Sequence, residues 1–217
     1  LPNPNEPFAM SQDLNLSAHS HALDEETARA EVYGLLSQLY YQAPSAELLG
    51  QLQVAVTEAP DAGGFLEEPW RDLVACARSL SQTQIAAEFS SLFGGVGKPE
   101  VYLFGSHYLS GFLNEKPLVR LRDDLAELGL ARSDDMPETE DHVAYVFEVM
   151  RFLIAGDDVA VSNLTRQHAF FTSHVQSWLP ALCQALLAHP RAVFYARVAS
   201  FTEAFISVES QGFDLVA

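Results

Sequence analysis

Basic residues are scarce. The 217-residue chain has 12 Lys and Arg against 29 Asp and Glu, a formal net charge of −17. A nucleic-acid binder reads phosphates with a basic surface, so that class is disfavoured, as is adhesion to an anionic membrane. A field of this sign draws in basic partners instead. Cysteine is nearly absent: Cys76 and Cys183 stand alone, in neither a CxxC nor a metal-spaced cluster. This pattern predicts buried reduced thiols and a reducing compartment. No run approaches the ~18 apolar residues that span a bilayer. Neither a charged-then-apolar leader nor a twin-arginine dipeptide occurs, so the expected location is the cytoplasm. Strand signals are also nearly absent.

Helical periodicity fills the space that strands leave. With 48% hydrophobic and 19% charged residues, the chain has enough apolar surface for a sizeable core and is not disordered in bulk. Residues 1–22 read as a disordered leader. Asp24 is placed to cap a first helix that buries Ala28, Val32, Leu35, Leu36 and Leu39 and stops before Pro44. Ser45 caps a second helix, a third runs from Pro69 to Leu80, and Ser81 with Gln84 forms a capping box for a fourth. Pro117 opens a further helix that Gly129 ends. Later, a long helical stretch over 159–187 is divided by Pro180. A final helix from Pro190 carries Phe194, Val198, Phe201, Phe205 and Val208 on one stripe. The predicted fold is all-α, a bundle of about eight to ten helices. An N-terminal part (23–130) joins a C-terminal part (137–217) through a polar hinge at 131–136.

Two segments invite chemical readings. The first, "FGGVGKPEVYLFGS" (93–106), is glycine-rich, but Pro99 follows Lys98 and no strand precedes it. A phosphate loop fails, and the glycines at 94, 95 and 97 are instead expected to serve unusual backbone angles. The second is "MPETEDHVAYVFEVMRFLI" (136–154). On a helix starting at Pro137, Glu138 shares a face with Asp141 and His142, while Val143, Val146, Met150, Leu153 and Ile154 form an apolar stripe. Three readings follow: a metal-dependent hydrolase built on Glu138, Asp141 and His142; an acid/base pair; or carboxylates stabilising the start of a helix. A metal site lacks an HExxH pattern and a further well-spaced histidine. In the later "QHAFFTSHVQSWLPALCQALL", His174 and Trp178 are spaced i, i+4, which suggests indole packed on imidazole.

The pattern Glu138-Thr139-Glu140-Asp141-His142, followed by a long apolar helix, resembles the E-P-x-D-H signature of the TorD/DmsD/NarJ group, with Thr139 in place of the customary proline. The 86–130 segment and the 167–187 segment resemble that group as well, so the similarity covers about residues 24–210. The group consists of all-helical cytoplasmic chaperones for molybdoenzymes, without a cofactor of their own. The resemblance implies binding of a twin-arginine signal peptide, the apo form of a molybdoenzyme catalytic subunit, or both, before cofactor insertion and export or assembly. It also admits a monomer or a dimer swapped across the hinge. It implies no enzyme activity. Glu138, Glu140, Asp141 and His142 would lie at the partner site, the carboxylates facing guanidinium groups. Tyr102, Ser106, Tyr108, Phe171, His174 and Trp178 are the candidate groove residues, with Phe104 and Phe170 beside them.

Overall fold

The computed structural model describes residues 10–57, 64–94, 98–133 and 136–216. Among the described residues, ten α-helices follow in chain order. They are α1 (Met10–Tyr41), α2 (Ala46–Val54), α3 (Glu67–Ser79), α4 (Gln82–Phe93), α5 (Gly105–Ser110), α6 (Lys116–Glu127), α7 (Val143–Ala155), α8 (Leu164–Phe170), α9 (Leu179–Leu187) and α10 (Phe194–Val216). A π-helical turn, Phe171–Gln176, extends α8. Among the described residues there is no strand, only an isolated antiparallel bridge between Phe104 and His142. The all-α expectation holds.

Local signals set most boundaries. The Ser45 side chain accepts from the Leu48 N–H, and Ser81 and Gln84 close a reciprocal capping box. Gly129 adopts φ +72, and Leu130 N–H bonds back to the Leu125 carbonyl, a Schellman stop that favours glycine at that position. Three expectations are corrected, and a fourth, the leader, falls partly outside the described residues. α1 runs through from Met10, so Asp24 lies inside it rather than capping it. The leader expected to residue 22 includes residues 1–9, which lie outside the described residues. Gly94 has ordinary extended backbone (φ −102, ψ −167), and Gly95 and Gly97 lie outside the described residues. Finally, the late helix breaks at Ser177–Trp178, not at Pro180, which sits in the first turn of α9 where its missing N–H costs nothing.

One hydrophobic core spans both sides of the 131–136 connector. Phe147 of α7 packs against Tyr33 and Tyr40 of α1, with ring centroids 5.7 and 6.1 Å away. The α7 stripe of Val143, Val146, Met150, Leu153 and Ile154 is buried throughout. On α10, Phe194, Val198, Phe201 and Phe205 are buried, while Val208 is only half-covered. α1 divides its apolar residues between two faces. Leu36 and Leu39 enter the core beside Tyr33 and Tyr40, but Ala28 is exposed and Val32 and Leu35 are half-buried.

Polar rivets fix α1 against α10. Arg29 grips Glu209 with two hydrogen bonds, 2.7 and 2.9 Å, and the Tyr33 hydroxyl donates to the same carboxylate at 3.0 Å. Arg29 also donates to Gln167, whose amide donates to the Leu153 carbonyl, bringing α8 and α7 into the network. Burial alone would lower the Arg29 guanidinium; the Glu209 contact outweighs it and the net direction is upward. At the other end of α10, Glu88 of α4 accepts the N–H groups of Val193, Phe194 and Tyr195. A carboxylate is well placed on these otherwise free donors. Glu209→Ala leaves a buried guanidinium and the Tyr33 hydroxyl unpaired. We expect a loss of about 3 kcal/mol in urea unfolding, the low end for a broken buried pair because Arg29 retains some solvent contact.

Candidate functional site

Two irregular segments meet where α4 gives way to α5 and where α7 begins. Residues 99–104 and 137–142 run antiparallel: the Gly105 N–H donates to the Asp141 carbonyl at 2.9 Å, and the Val143 N–H to the Leu103 carbonyl at 2.8 Å. This bridge uses backbone groups that a helix from Pro137 would have kept for itself. α7 therefore starts at Val143, and the expected helical face of Glu138, Asp141 and His142 does not form.

The three side chains diverge. Asp141 is buried, one oxygen accepting the Ser106 N–H at 2.9 Å and the other the Thr139 hydroxyl at 2.7 Å. His142 caps α7, its Nδ1 accepting the Ala144 N–H at 3.2 Å, which leaves the proton on Nε2. Its ring lies among Phe104, Tyr145 and Tyr41, with centroids 5.1, 5.6 and 6.4 Å away. Burial lowers its pKa to about 4 despite the neighbouring Asp141 charge, so the imidazole is neutral at pH 7. Glu138 is half-buried and its carboxylate has no ion-pair partner among the described residues. Glu140 meets Arg122 of α6 at 2.8 Å and Arg132 at 3.9 Å. Partial burial pushes Glu140 up, but the Arg122 hydrogen bond helps bring it below the usual carboxylate value.

Beside this junction is a cleft of about 490 Å³, within the size range of ligand pockets. Phe89 and Phe93 of α4 form one wall, with Tyr41 at the end of α1 and Tyr102 and Phe104 from the crossing segment. Glu138, His142 and Leu113 also line it. Leu113 comes from the α5–α6 turn, where Gly111 and Asn114 have positive φ and Phe112 is left exposed. Of the residues expected at a partner site, Tyr102, Glu138 and His142 border the cleft. Glu140, Asp141, Ser106, Tyr108, Phe171, His174 and Trp178 do not.

Of the latter group, Trp178, His174 and Tyr108 are linked to one another and, through Tyr108, to the cleft wall. Trp178 donates its indole N–H to the His174 carbonyl at 2.6 Å and stacks on Tyr108, centroids 5.8 Å apart. The expected indole-on-imidazole pair is thus replaced, because the π-helical turn and the break after it re-aim both rings. The His174 ring meets Asp124 of α6 at 2.5 Å instead. Gly105 makes room for the indole: a Cβ there would sit 3.0 Å from Trp178 Cε2. Tyr108 donates to the Tyr102 carbonyl at 2.8 Å, tying these three to the cleft wall, and Phe171 and Ser106 are buried. Sequence reasoning did not assign Phe89, Phe93, Leu113 or Tyr41 to the cleft. The Tyr40–Tyr41 pair was the available signal for Tyr41, since adjacent helical residues face different ways.

The hydrolase reading finds no support in this geometry. Among the described residues, no group of three or more His, Cys, Asp or Glu side chains could hold a metal. Asp141 is spent on backbone and Thr139, and His142 Nδ1 on its own helix.

The buried histidine predicts a pH effect. Its folded pKa of about 4 lies below the unfolded value near 6.5, so the unfolded chain takes up its proton first as pH falls. Its contribution is fully present above about pH 6.5 and is lost progressively down to about pH 4, a span worth about 3 kcal/mol. His142→Asn retains a capping oxygen but cannot titrate. Denaturant titrations from pH 7.5 to 4.5 should show a smaller stability loss in this variant than in the wild type. Equal losses would remove His142 as a source of acid sensitivity.

Comparison with known proteins agrees with the sequence resemblance. The model of the nitrate reductase delta subunit family matches residues 60–184, more than half the chain. Chaperone protein TorD of Vibrio cholerae serotype O1 is 26% identical over 202 residues, covering 86% of this chain and 92% of that protein. Chaperone protein TorD of Colwellia psychrerythraea is 24% identical over 223 residues, covering 87% and 92%. That of Photobacterium profundum is 28% identical over 141 residues, covering 61% and 65%. With the all-helical architecture and the Glu138–His142 segment in place, the chain belongs to the nitrate reductase delta subunit family, the TorD/NarJ group.

Proposed function

We propose that this protein is a cytoplasmic chaperone for a molybdoenzyme catalytic subunit. It holds the subunit's twin-arginine signal peptide, or its apo form, until the cofactor is installed before export or assembly. TorD-family chaperones work with molybdoenzyme subunits, and none of the relatives compared is named as an enzyme. No described helix is long and apolar enough to cross a membrane. In this reading the chain acts as a monomer or as a homodimer swapped across residues 131–136.

The observation that carries the reading is the aromatic cleft with Glu138 on its wall. A signal peptide brings guanidinium groups and an apolar segment, and the cleft offers a carboxylate beside Phe89, Phe93 and Leu113. His142 Nε2–H adds a neutral donor for a peptide carbonyl. The roles of the signature residues then differ. Glu138 meets the partner, Glu140 holds the segment to α6, and Asp141 keeps the two irregular segments joined. The overall charge of −17 hastens encounter with a cationic leader and makes it salt-dependent.

Calorimetry with a synthetic twin-arginine signal peptide tests this. Glu138→Lys and Leu113→Asp should each weaken binding tenfold or more, about 1.4 kcal/mol, with an unchanged helical spectrum. Glu140→Gln should bind within about threefold of wild type, because its carboxylate already serves Arg122, and an exposed pair of that kind is worth at most about 1 kcal/mol. Wild-type affinity in both Glu138→Lys and Leu113→Asp would remove the cleft from the function.

A further inference from the structure

A smaller notch adjoins the cleft at Tyr41. Its volume is about 240 Å³, less than a usual ligand pocket and enough for one long side chain, and it shares Tyr41 and Gln42 with the cleft. Its walls are the last turn of α1 with the residues after it, the first turn of α2 and the first two turns of α7. Leu48 gives it an apolar side. Tyr41 belongs to both concavities, and its ring lies 5.9 Å from that of Tyr145, centroid to centroid.

The polar groups of the notch are rich in acceptors, and few are engaged. Glu148 is the sole charged residue lining it. One of its oxygens accepts from Arg151 at 2.9 Å; the other makes no hydrogen bond or ion pair among the described residues. Both side chains of that i, i+3 pair are about half exposed, so it is a weak pair that a second cation can share or displace. Gln38 and Gln42, one turn apart, are exposed, and neither side-chain amide is hydrogen-bonded among the described residues. The Tyr145 hydroxyl is buried and has no hydrogen-bond partner. Burial raises its pKa, with Tyr41 beside it adding to the effect, so it stays a neutral phenol at pH 7. A buried hydroxyl left unpaired is costly, and an entering N–H donor removes that cost.

We infer that this notch is an arginine subsite, which takes one guanidinium of a polypeptide whose neighbouring arginine meets Glu138. The identity of that polypeptide rests on the reading of the cleft as a signal-peptide site. A guanidinium presents five N–H donors in one plane. The free Glu148 oxygen, the two amide oxygens and the Tyr145 hydroxyl accept from them, the plane stacks on Tyr41, and the stem lies on Leu48. An ammonium has no plane to stack, and an anion meets the Glu148 charge with no base on the notch to offset it. Consecutive side chains of an extended segment point to opposite sides, so two adjacent arginines do not both reach Glu138. A segment crossing Tyr41 places one arginine in the cleft and the next in the notch. Preference for paired arginines over mere positive charge then comes from Gln38, Gln42, Tyr145 and Glu148.

N-acetyl-arginine amide, followed by NMR on the full chain, should give saturable shifts at Gln38, Gln42 and Tyr145, and should bind about fivefold more weakly to Glu148→Gln. N-acetyl-lysine amide should bind wild type about threefold more weakly or worse, because it lacks the planar fork. With the twin-arginine signal peptide, Glu148→Gln should weaken binding about tenfold at an unchanged helical spectrum. That loss should shrink to about twofold or less once the peptide arginine that enters the notch is replaced by Gln, and persist when the other arginine is replaced. Saturable shifts absent from these three residues, equal affinity for the two amides, or a Glu148→Gln loss that neither peptide replacement changes would each overturn the assignment. A wild-type chain that ignores the signal peptide but keeps the acetyl-arginine shifts would sink the reading of the cleft and leave the notch standing.

Discussion

The crossing of residues 99–106 with 137–143 is the constraint on which the site depends. Two backbone hydrogen bonds align the segments, and the Asp141 carboxylate adds a third tie to the Ser106 N–H. In a helical protein such a junction is unusual, because each segment must give up local helix bonds to make it. The buried backbone polar groups are satisfied only while both segments stay together. This joins the entry to α5 and the start of α7 in one rigid unit. α7 in turn is clamped on α1 through Phe147. The cleft inherits its shape from that chain of contacts rather than from the residues that line it.

This explains why one short signature contains residues of such different exposure. Asp141 and His142 are almost sealed, yet a chaperone needs an accessible surface. Most of their chemistry is directed inward: a carboxylate that accepts the Ser106 N–H and the Thr139 hydroxyl, and a neutral imidazole whose Nδ1 starts a helix while its other edge borders the cleft. Glu138, three residues before Asp141, is left facing the cleft. In the proposed reading, loss of the interior pair and loss of the outward carboxylate both weaken partner binding, but by different routes. The first reshapes the cleft; the second removes one charge from it.

Much of the fold was legible because helix signals are local. The Ser45 cap, the Ser81–Gln84 box, Pro117 and the Gly129 stop act within one turn, so their effects can be read from neighbouring residues. The α7 and α10 stripes follow from 3.6-residue periodicity. The site was less legible because it rests on distant pairings. Nothing near Pro137 in the sequence says that residues 103–105 will compete for its backbone. Likewise, nothing near Trp178 says that Gly105 and Tyr108 will supply its bed. The Arg29–Glu209–Tyr33 network went unread for the same reason, its members being 176 and 180 positions apart. Periodicity also overreached on α1: it predicted one buried face where the helix has two apolar faces, one packed against α7 and one left open.

α1 thus links the functional features. Its last turn gives Tyr41 to the cleft, Tyr33 and Tyr40 pack on Phe147 of α7, and Arg29 pairs with Glu209 of α10. Held over residues 29–41 by aromatic packing and by a buried ion pair, this part of the helix moves as a unit, because close-packed contacts cannot yield at one end without loss at the other.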